Sequence, residues 1–240
     1  MKLFIQTSLD FLFPPLCHIC RSFIPDAGEV HICAVCRDRL PLVTSPLCPV
    51  CGIPFRGVGD NHPCGECQTR PPHFESARAQ LLYEESARDL IHFFKYRHKT
   101  RLRRPLALLA LEGLTEFITD RIPDVIIPVP LHRSRLQSRG FNQALLLGGL
   151  FSSRLSIPMM ADGLIRTRQT EPQIELSAED RRDNVKGAFA ANRPGSISGK
   201  RILLLDDVMT TGSTVNECAR VLKKAGAISV VVATVARTAK

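Results

Sequence analysis

Two adjacent carboxylates, Asp206 and Asp207, stand between a short apolar run and a turn rich in hydroxyl groups. The run at residues 202–205 has the length of a strand, and residues 215–224 after the turn have the apolar spacing of a helix. In a parallel α/β sheet such a turn lies at the carboxyl edge, where ligands bind. Free amides at a helix start bind anions, and paired carboxylates suit magnesium or vicinal hydroxyls. The stretch therefore predicts a phosphorylated-sugar site. The alternative is a capped helix in which an aspartate only satisfies backbone amides.

A second candidate anion site follows residues 125–129, a buried-strand pattern whose nearby prolines favour an edge strand. The next residues, 131–140, are predicted to form a loop that carries one histidine and three arginines. Guanidinium groups suit a dianion such as pyrophosphate, although a solvated basic loop is the alternative. A helical pattern resumes after Gly140, with the polar residues Asn142 and Gln143 near its start.

The acid pair and its turn, LLLDDVMTTGST, are similar to the phosphoribosyl pyrophosphate (PRPP) signature of type I phosphoribosyltransferases. This resemblance implies that Asp206 and Asp207 are the catalytic acids that hold the ribose hydroxyls, with Mg2+ bound together with PRPP. It also implies that the 5′-phosphate is bound by Thr210, Thr211, Gly212, Ser213 and Thr214.

Two further segments narrow the resemblance, PVPLHRSRLQSRGFNQA and LIRTRQTEPQIELSAEDRRDNVKGAF. With the PRPP stretch they resemble the ComF/GntX family, in which a zinc-ribbon segment precedes a phosphoribosyltransferase domain. The resemblance implies a pyrophosphate loop with His132, Arg133 and Arg135, and a lid loop at residues 166–182 with Arg166, Arg168 and Arg182. It also implies a role in natural transformation, namely import of single-stranded DNA into the cytoplasm together with a ComF-operon helicase and a recombination mediator.

Eight of the nine cysteines form four C-x2-C pairs, and twelve residues separate the pairs within each of two units. Since the rest of the chain is typical of a cytoplasmic protein, metal binding is favoured over disulfides. Tetrahedral sites with four cysteine ligands predict one or two zinc ions. Equal gaps favour sequential over crossed sharing of the pairs, but spacing alone leaves both open. The candidate ligands are Cys17, Cys20, Cys33, Cys36, Cys48, Cys51, Cys64 and Cys67.

Residues 95–104 carry six positive side chains and no acid, with aromatic residues at the edge of the run. Stacking on aromatic rings and attraction of the backbone are what single-stranded nucleic acid requires. A solvated helix end is the alternative, because basic residues favour a helix C-terminus. The candidate nucleic-acid ligands are Lys95, Tyr96, Arg97, Lys99, Arg101, Arg103 and Arg104.

The whole chain has 240 residues and a net charge of +9, and all of the positive excess lies in residues 75–240. No run approaches the roughly 20 apolar residues of a membrane span. The apolar, β-branched pattern at residues 229–235 predicts a buried parallel strand. We therefore predict an α/β protein with a type I phosphoribosyltransferase-like parallel sheet flanked by helices at residues 75–240. A small cysteine-rich double zinc ribbon is predicted at residues 1–74.

Three classes of function are compatible with these motifs. The first is a ComF-like competence factor that binds PRPP with Mg2+ and contacts single-stranded DNA. The second is a metabolic phosphoribosyltransferase that acts on a base or amine, although the sequence shows no base-reading motif. The third is a binding protein that uses PRPP only as a signal. The intact acid pair favours retained PRPP chemistry over an inactive fold, and it leaves enzymatic turnover open.

Overall fold

The structure is a computed structural model that describes residues 14–25, 28–97, 99–170 and 178–239. Residues 171–177 of the predicted lid lie outside the described residues, as do the side chains of 178, 179, 181 and 182.

A four-stranded parallel sheet in the order β1-β6-β5-β2 forms the centre of the molecule. Its strands are β1 (Ser76–Leu82), β2 (Val125–Pro128), β5 (Arg201–Met209) and β6 (Ser229–Arg237). Both central strands consist largely of buried apolar residues, as expected for a parallel sheet covered on its two faces. The α/β fold class is thus confirmed, and β2 lies at the sheet edge as its prolines indicated. β5 extends beyond the predicted residues 202–205, so the acid pair lies within the end of the strand rather than after it.

Side chains along β5 alternate between the two faces of the sheet, and helices cover both faces. Leu203 and Leu205 pack in one core with α3 (Glu85–Tyr96), α4 (Arg103–Thr119) and α6 (Gln143–Leu155). Ile202 and Leu204 pack in a second core with α9 (Ser213–Lys224). Cys218 on α9 is completely buried there and serves as a small core side chain.

The segment after β2 is helical, so the prediction of a loop at residues 131–140 was wrong. It forms α5 (Arg133–Arg139), which begins after His132 and ends at Gly140. The His132 ring accepts a hydrogen bond from the Ser134 amide, and Gly140 supplies the left-handed conformation with φ 78° that ends the helix. Sequence composition suggested a loop because neither cap was recognised.

A two-stranded antiparallel sheet, β3 (Leu164–Arg166) with β4 (Phe189–Ala191), flanks the predicted lid. The helix α7 (Ala178–Val185) lies between these strands, and the single turn α8 (Pro194–Ile197) leads into β5. The predicted lid segment thus lies, in chain order, between the two strands of one small sheet.

The cysteine-rich segment contains two short helices, α1 (Ala34–Asp38) and α2 (Gly65–Thr69), each beginning directly after a cysteine. This segment bonds to the outer edge of β1: the Ala77 amide donates to the Val50 carbonyl (2.7 Å) and the Leu82 amide to the Pro41 carbonyl (2.7 Å). Backbone hydrogen bonds thus link the two predicted domains across their boundary. Among the described residues, every helix is too short or too polar to cross a membrane.

Candidate functional site

A cleft of about 710 Å3 opens at the carboxyl edge of the sheet and collects residues that are far apart in the sequence. The end of β5, the helix α5, the start of α6, the last turn of α3 and the strand β3 all contribute to its wall. Of the predicted site residues, the cleft is lined by Lys95, Tyr96, Arg135, Arg166, Asp206, Asp207, Thr210 and Thr214. Its position matches the ligand site expected for a parallel α/β sheet.

Lys95 differs from the rest of the predicted nucleic-acid run. Its Nζ lies 3.0 Å from Asp207 Oδ1, and the two side chains are only 16% and 9% exposed. Burial lowers the pKa of Lys95, but the charges of Asp207 and Asp206 outweigh it and hold this pKa above its ordinary value. Lys95 therefore belongs to the cleft, and its prediction as a nucleic-acid ligand is corrected. No cationic partner of the acid pair was predicted from the sequence.

Asp206 is the member of the acid pair whose pKa is raised. Its Oδ1 accepts a hydrogen bond from the Asp207 amide at 2.9 Å. Burial and the neighbouring Asp207 raise the pKa of Asp206 to about 7, although Lys95 opposes the shift. The two carboxylates offer the hard oxygen donors that Mg2+ prefers, so the residues fit that ion.

The hydroxyl-rich turn joins the end of β5 to α9 through a left-handed residue, Gly212, with φ 82°. The Thr211 and Ser213 hydroxyls are hydrogen-bonded at 2.8 Å, which fixes the turn at the amino end of a twelve-residue helix. Such a terminus attracts anions through its free amides. Thr210 and Thr214 face the cleft beside the acid pair. A second cavity of about 420 Å3 is lined by Thr211, Gly212 and Ser213 together with cysteines of the second unit. This cavity was not predicted from the sequence.

The predicted pyrophosphate residues separate into two groups. Arg135 lines the cleft, whereas Arg133 is exposed elsewhere on α5. His132 caps α5, and its Nδ1 lies 2.8 Å from the Ser134 hydroxyl. Of the three predicted ligands, the structure thus brings only Arg135 to the cleft.

The lid arginines also have different positions. Arg166 lines the cleft, donates to the Thr170 hydroxyl and lies over the Phe189 ring with its Cζ 5.2 Å from the centroid. Burial, followed by repulsion from Arg135, lowers the pKa of Arg166. Arg168 instead donates to the carbonyls of Asn184 and Lys186, each at 2.9 Å. These bonds connect the start of the predicted lid to the residues that follow it. The side chain of Arg182 lies outside the described residues.

Two residues at the start of α6 join the cleft, although the sequence marked them only as polar. Asn142 is the helix cap: its Oδ1 accepts from the Leu145 amide, and its Nδ2 donates to the Val129 carbonyl at 3.0 Å. Gln143 follows and is 2% exposed. Its burial depends on how α6 packs against the sheet, which no local sequence signal records.

The eight cysteines form two clusters, each with all four sulfur atoms within 4.8 Å of one another. One cluster holds Cys17, Cys20, Cys33 and Cys36, and the other holds Cys48, Cys51, Cys64 and Cys67. Ligand sharing is therefore sequential, as the equal gaps favoured. Backbone amides donate to the buried sulfur of each cluster, from Cys33 to Cys17 Sγ (3.5 Å) and from Cys64 to Cys48 Sγ (3.3 Å). Four thiolates with amide donors fit tetrahedral zinc.

The second cluster is electrostatically linked to the sheet by two arginines. Arg237, at the end of β6 and 3% exposed, donates to the Cys51 carbonyl. Arg78 of β1 donates to the Pro49 carbonyl at 3.0 Å. Burial lowers the pKa of both guanidinium groups, and the nearby thiolates oppose this shift. These positive charges would balance the net negative charge of four thiolates around a bound zinc ion.

Most of the remaining basic run is exposed, and Arg101 and Arg104 line a cavity together with His18 and His31 of the first cysteine unit. Tyr96, Arg97, Arg101 and Arg103 are exposed. Lys99 Nζ lies over the Phe93 ring, 4.7 Å from its centroid. Arg104 instead forms an ion pair with Glu29, so its charge is partly compensated.

Comparison with known protein families finds two matching models. One, described as a double zinc ribbon domain, matches residues 8–68, and the other, a phosphoribosyl transferase domain, matches residues 142–240. Each covers less than half of the chain.

Curated relatives match larger parts of the chain. Competence protein F of Haemophilus influenzae is 40% identical over 148 residues, which are 60% of this chain and 65% of that protein. DNA utilization protein YhgH of Escherichia coli (strain K12) is 38% identical over 171 residues, 70% of this chain and 74% of that protein. Competence protein ComFC of Bacillus subtilis is 30% identical over 105 residues, 42% of this chain and 39% of that protein. The chain thus spans just under two thirds of competence protein F and about three quarters of YhgH.

Proposed function

The chain belongs to the family of competence protein F and DNA utilization protein YhgH, and we propose that it is a competence factor for natural transformation. In this proposal it assists import of single-stranded DNA into the cytoplasm, alongside a helicase and a recombination mediator. Its phosphoribosyltransferase-like domain binds PRPP together with Mg2+.

The composition of one cleft carries the PRPP proposal: an acid pair, two threonines of the helix-start turn and three arginines line a space of about 710 Å3. In this reading residues 210–214 bind the 5′-phosphate, and Asp206 and Asp207 bind the ribose hydroxyls. Arg135 and Arg166 bind the pyrophosphate, since guanidinium groups match its oxygens. The carboxylates of Asp206 and Asp207 would hold Mg2+, which would supply neutralising charge for the pyrophosphate.

Calorimetric titration of PRPP with Mg2+ into the zinc-loaded protein tests this site. We expect binding in the micromolar range, and the variant Asp206→Asn/Asp207→Asn should lose it because both ribose ligands change. The matched control is Asp89→Asn/Asp120→Asn, which alters two exposed aspartates outside the cleft and should bind as the wild type does. Absence of binding by the wild-type protein would disprove the proposed PRPP site.

The exposed basic run supports the DNA part of the proposal. Arg97, Arg101 and Arg103 are exposed, as is Tyr96 in the same run, and basic groups together with an aromatic ring suit a single strand. We expect the variant Arg97→Ala/Arg101→Ala/Arg103→Ala to bind single-stranded DNA more weakly. Its salt dependence should also flatten, with the logarithmic slope smaller by about 2, because fewer phosphates are neutralised.

A control variant of equal charge change isolates this effect. Arg39→Ala/Arg56→Ala/Lys200→Ala removes three exposed charges that lie outside the basic run. Fluorescence anisotropy over a salt series compares both variants with the wild type. Equal losses in the two variants would mean that overall charge, rather than the run, determines affinity.

Phosphoribosyl transfer to a base or amine is a second candidate activity, and the presence of both acids in the cleft favours it. Release of pyrophosphate from PRPP, measured with and without added bases or amines, tests it. Acceptor-dependent release that Asp206→Asn abolishes would support turnover. Release no greater than in that variant with any acceptor tested would favour binding without turnover.

A further inference from the structure

Gln143, the first residue of α6, lies in the wall of the cleft and is only 2% exposed. Its Nε2 group is buried and has no hydrogen-bond partner among the residues that the structure describes. Buried amide donors are nearly always paired, because an unpaired one has lost its bonds to water without replacement. A polar side chain that is kept at this cost beside a ligand cleft indicates that its partner is the ligand.

A second unpaired donor lies in the same wall. The Nε of Arg166 is also buried without a partner among the described residues, while its terminal nitrogen donates to Thr170. Both unpaired atoms are N–H donors, so their common complement is an oxygen acceptor. Arg135, from the helix before Gln143, lines the cleft as well. The wall formed by α5, α6 and β3 is thus rich in donors, which suits an anion with many oxygens.

We propose that the Gln143 carboxamide donates a hydrogen bond to a pyrophosphate oxygen of PRPP, and thereby positions the pyrophosphate beside Arg135. This inference rests on the PRPP site proposed above. The last torsion of a glutamine side chain is soft, so the carboxamide can turn from the wall into the cleft. Asn142 fixes the start of α6 through the Val129 carbonyl, so the backbone that carries Gln143 is held in place.

The variant Gln143→Met separates ligand binding from a structural role. Methionine has a similar length and no amide, so the change removes the unpaired donor with little loss of volume. We expect its thermal midpoint to equal or exceed that of the wild type, while its affinity for Mg2+–PRPP falls about tenfold, as for loss of one hydrogen bond to a charged group. Gln137→Met is the matched control, because Gln137 is exposed on α5 and lies outside the cleft wall.

A ligand series tests which part of PRPP is contacted. Calorimetry of wild type, Gln143→Met and Gln137→Met should use PRPP, pyrophosphate and ribose 5-phosphate, each with Mg2+. Weaker binding of PRPP and pyrophosphate by Gln143→Met, with unchanged ribose 5-phosphate binding, would support the inference. Unchanged PRPP affinity, an equal loss for ribose 5-phosphate, or a lowered thermal midpoint would overturn it while leaving the PRPP site intact. Failure of the wild-type protein to bind PRPP would overturn both proposals.

Discussion

Lys95 Nζ lies 3.0 Å from Asp207 Oδ1, so a residue of the basic run at the end of α3 closes an ion pair with the end of β5. One lysine thus compensates one of two adjacent carboxylates. The other, Asp206, remains close to the charge of Asp207 in a partly buried position, and its pKa rises to about 7. The ion pair therefore neutralises one of the two carboxylate charges in the cleft.

Replacing Lys95 by methionine should destabilise the protein. The change leaves Asp207 without its cation in a buried position, which we expect to cost about 2 kcal/mol of the free energy of unfolding. Urea unfolding measures this loss, and Arg97→Met, on the exposed side of the same segment, should change stability by less than about 0.5 kcal/mol. Equal effects of both substitutions would contradict the special position of Lys95.

The stability of the ligand-free protein should depend on the ionisation of Asp206. Its pKa of about 7 lies above the ordinary value of 3.8, so the folded state holds the Asp206 proton more tightly than the unfolded chain. This contribution to stability is complete below pH 3.8 and is lost as the pH rises through about 7. At pH 8 the variant Asp206→Asn should consequently be more stable than the wild type by about 2 kcal/mol, with a smaller difference at pH 5.

Urea unfolding of wild type and Asp206→Asn at both pH values measures this effect. Protonation of the zinc-binding cysteines affects the two proteins alike, so the difference between them isolates Asp206. Asp89→Asn, which alters an exposed aspartate, serves as the control. A wild-type pH dependence that persists unchanged in Asp206→Asn would contradict the raised pKa.

Zinc content should follow the sequential clusters. The variant Cys17→Ser/Cys33→Ser removes two ligands of one cluster, so it should retain about one zinc ion per chain if the wild type binds two. Crossed sharing would place these two cysteines in different sites, and both ions would then be lost. Metal analysis of the purified protein distinguishes these outcomes, and Cys218→Ser, outside both clusters, is the control.

Gly212→Ala should disturb the phosphate turn. Gly212 has φ 82°, which L side chains rarely adopt, and an added Cβ would lie 2.8 Å from Met209 Cε. We expect a loss of about 1 kcal/mol in the free energy of unfolding and weaker PRPP binding. Calorimetry and urea unfolding measure the two effects. Gly149→Ala is the control, because its added Cβ meets no atom within 4 Å and it lies inside a helix. Wild-type affinity in Gly212→Ala would show that the turn tolerates another geometry.

The cysteine spacing, the apolar runs and the acid pair with its turn were sufficient to predict the α/β fold and the zinc ribbons. These signals are local: strand and helix periodicity and paired ligands are written in consecutive residues. The predicted strand at residues 202–205 was shorter than β5, since Asp206 and Asp207 are poor strand formers that tertiary pairing with β6 keeps in the ladder. The helix α5 was missed because its cap is a histidine, which is an uncommon signal.

The composition of the cleft depends on tertiary structure. The sequence placed Lys95 with the basic run and Gln143 among the polar residues at a helix start, and only packing of α3 and α6 against the sheet brings them to the cleft. Likewise, spacing allowed two ways of sharing the cysteines, and the fold brings each quartet together sequentially. The sequence thus determined which chemical groups the protein has. The tertiary structure decided which of them meet, because burial and charge pairing arise between segments that lie far apart in the chain.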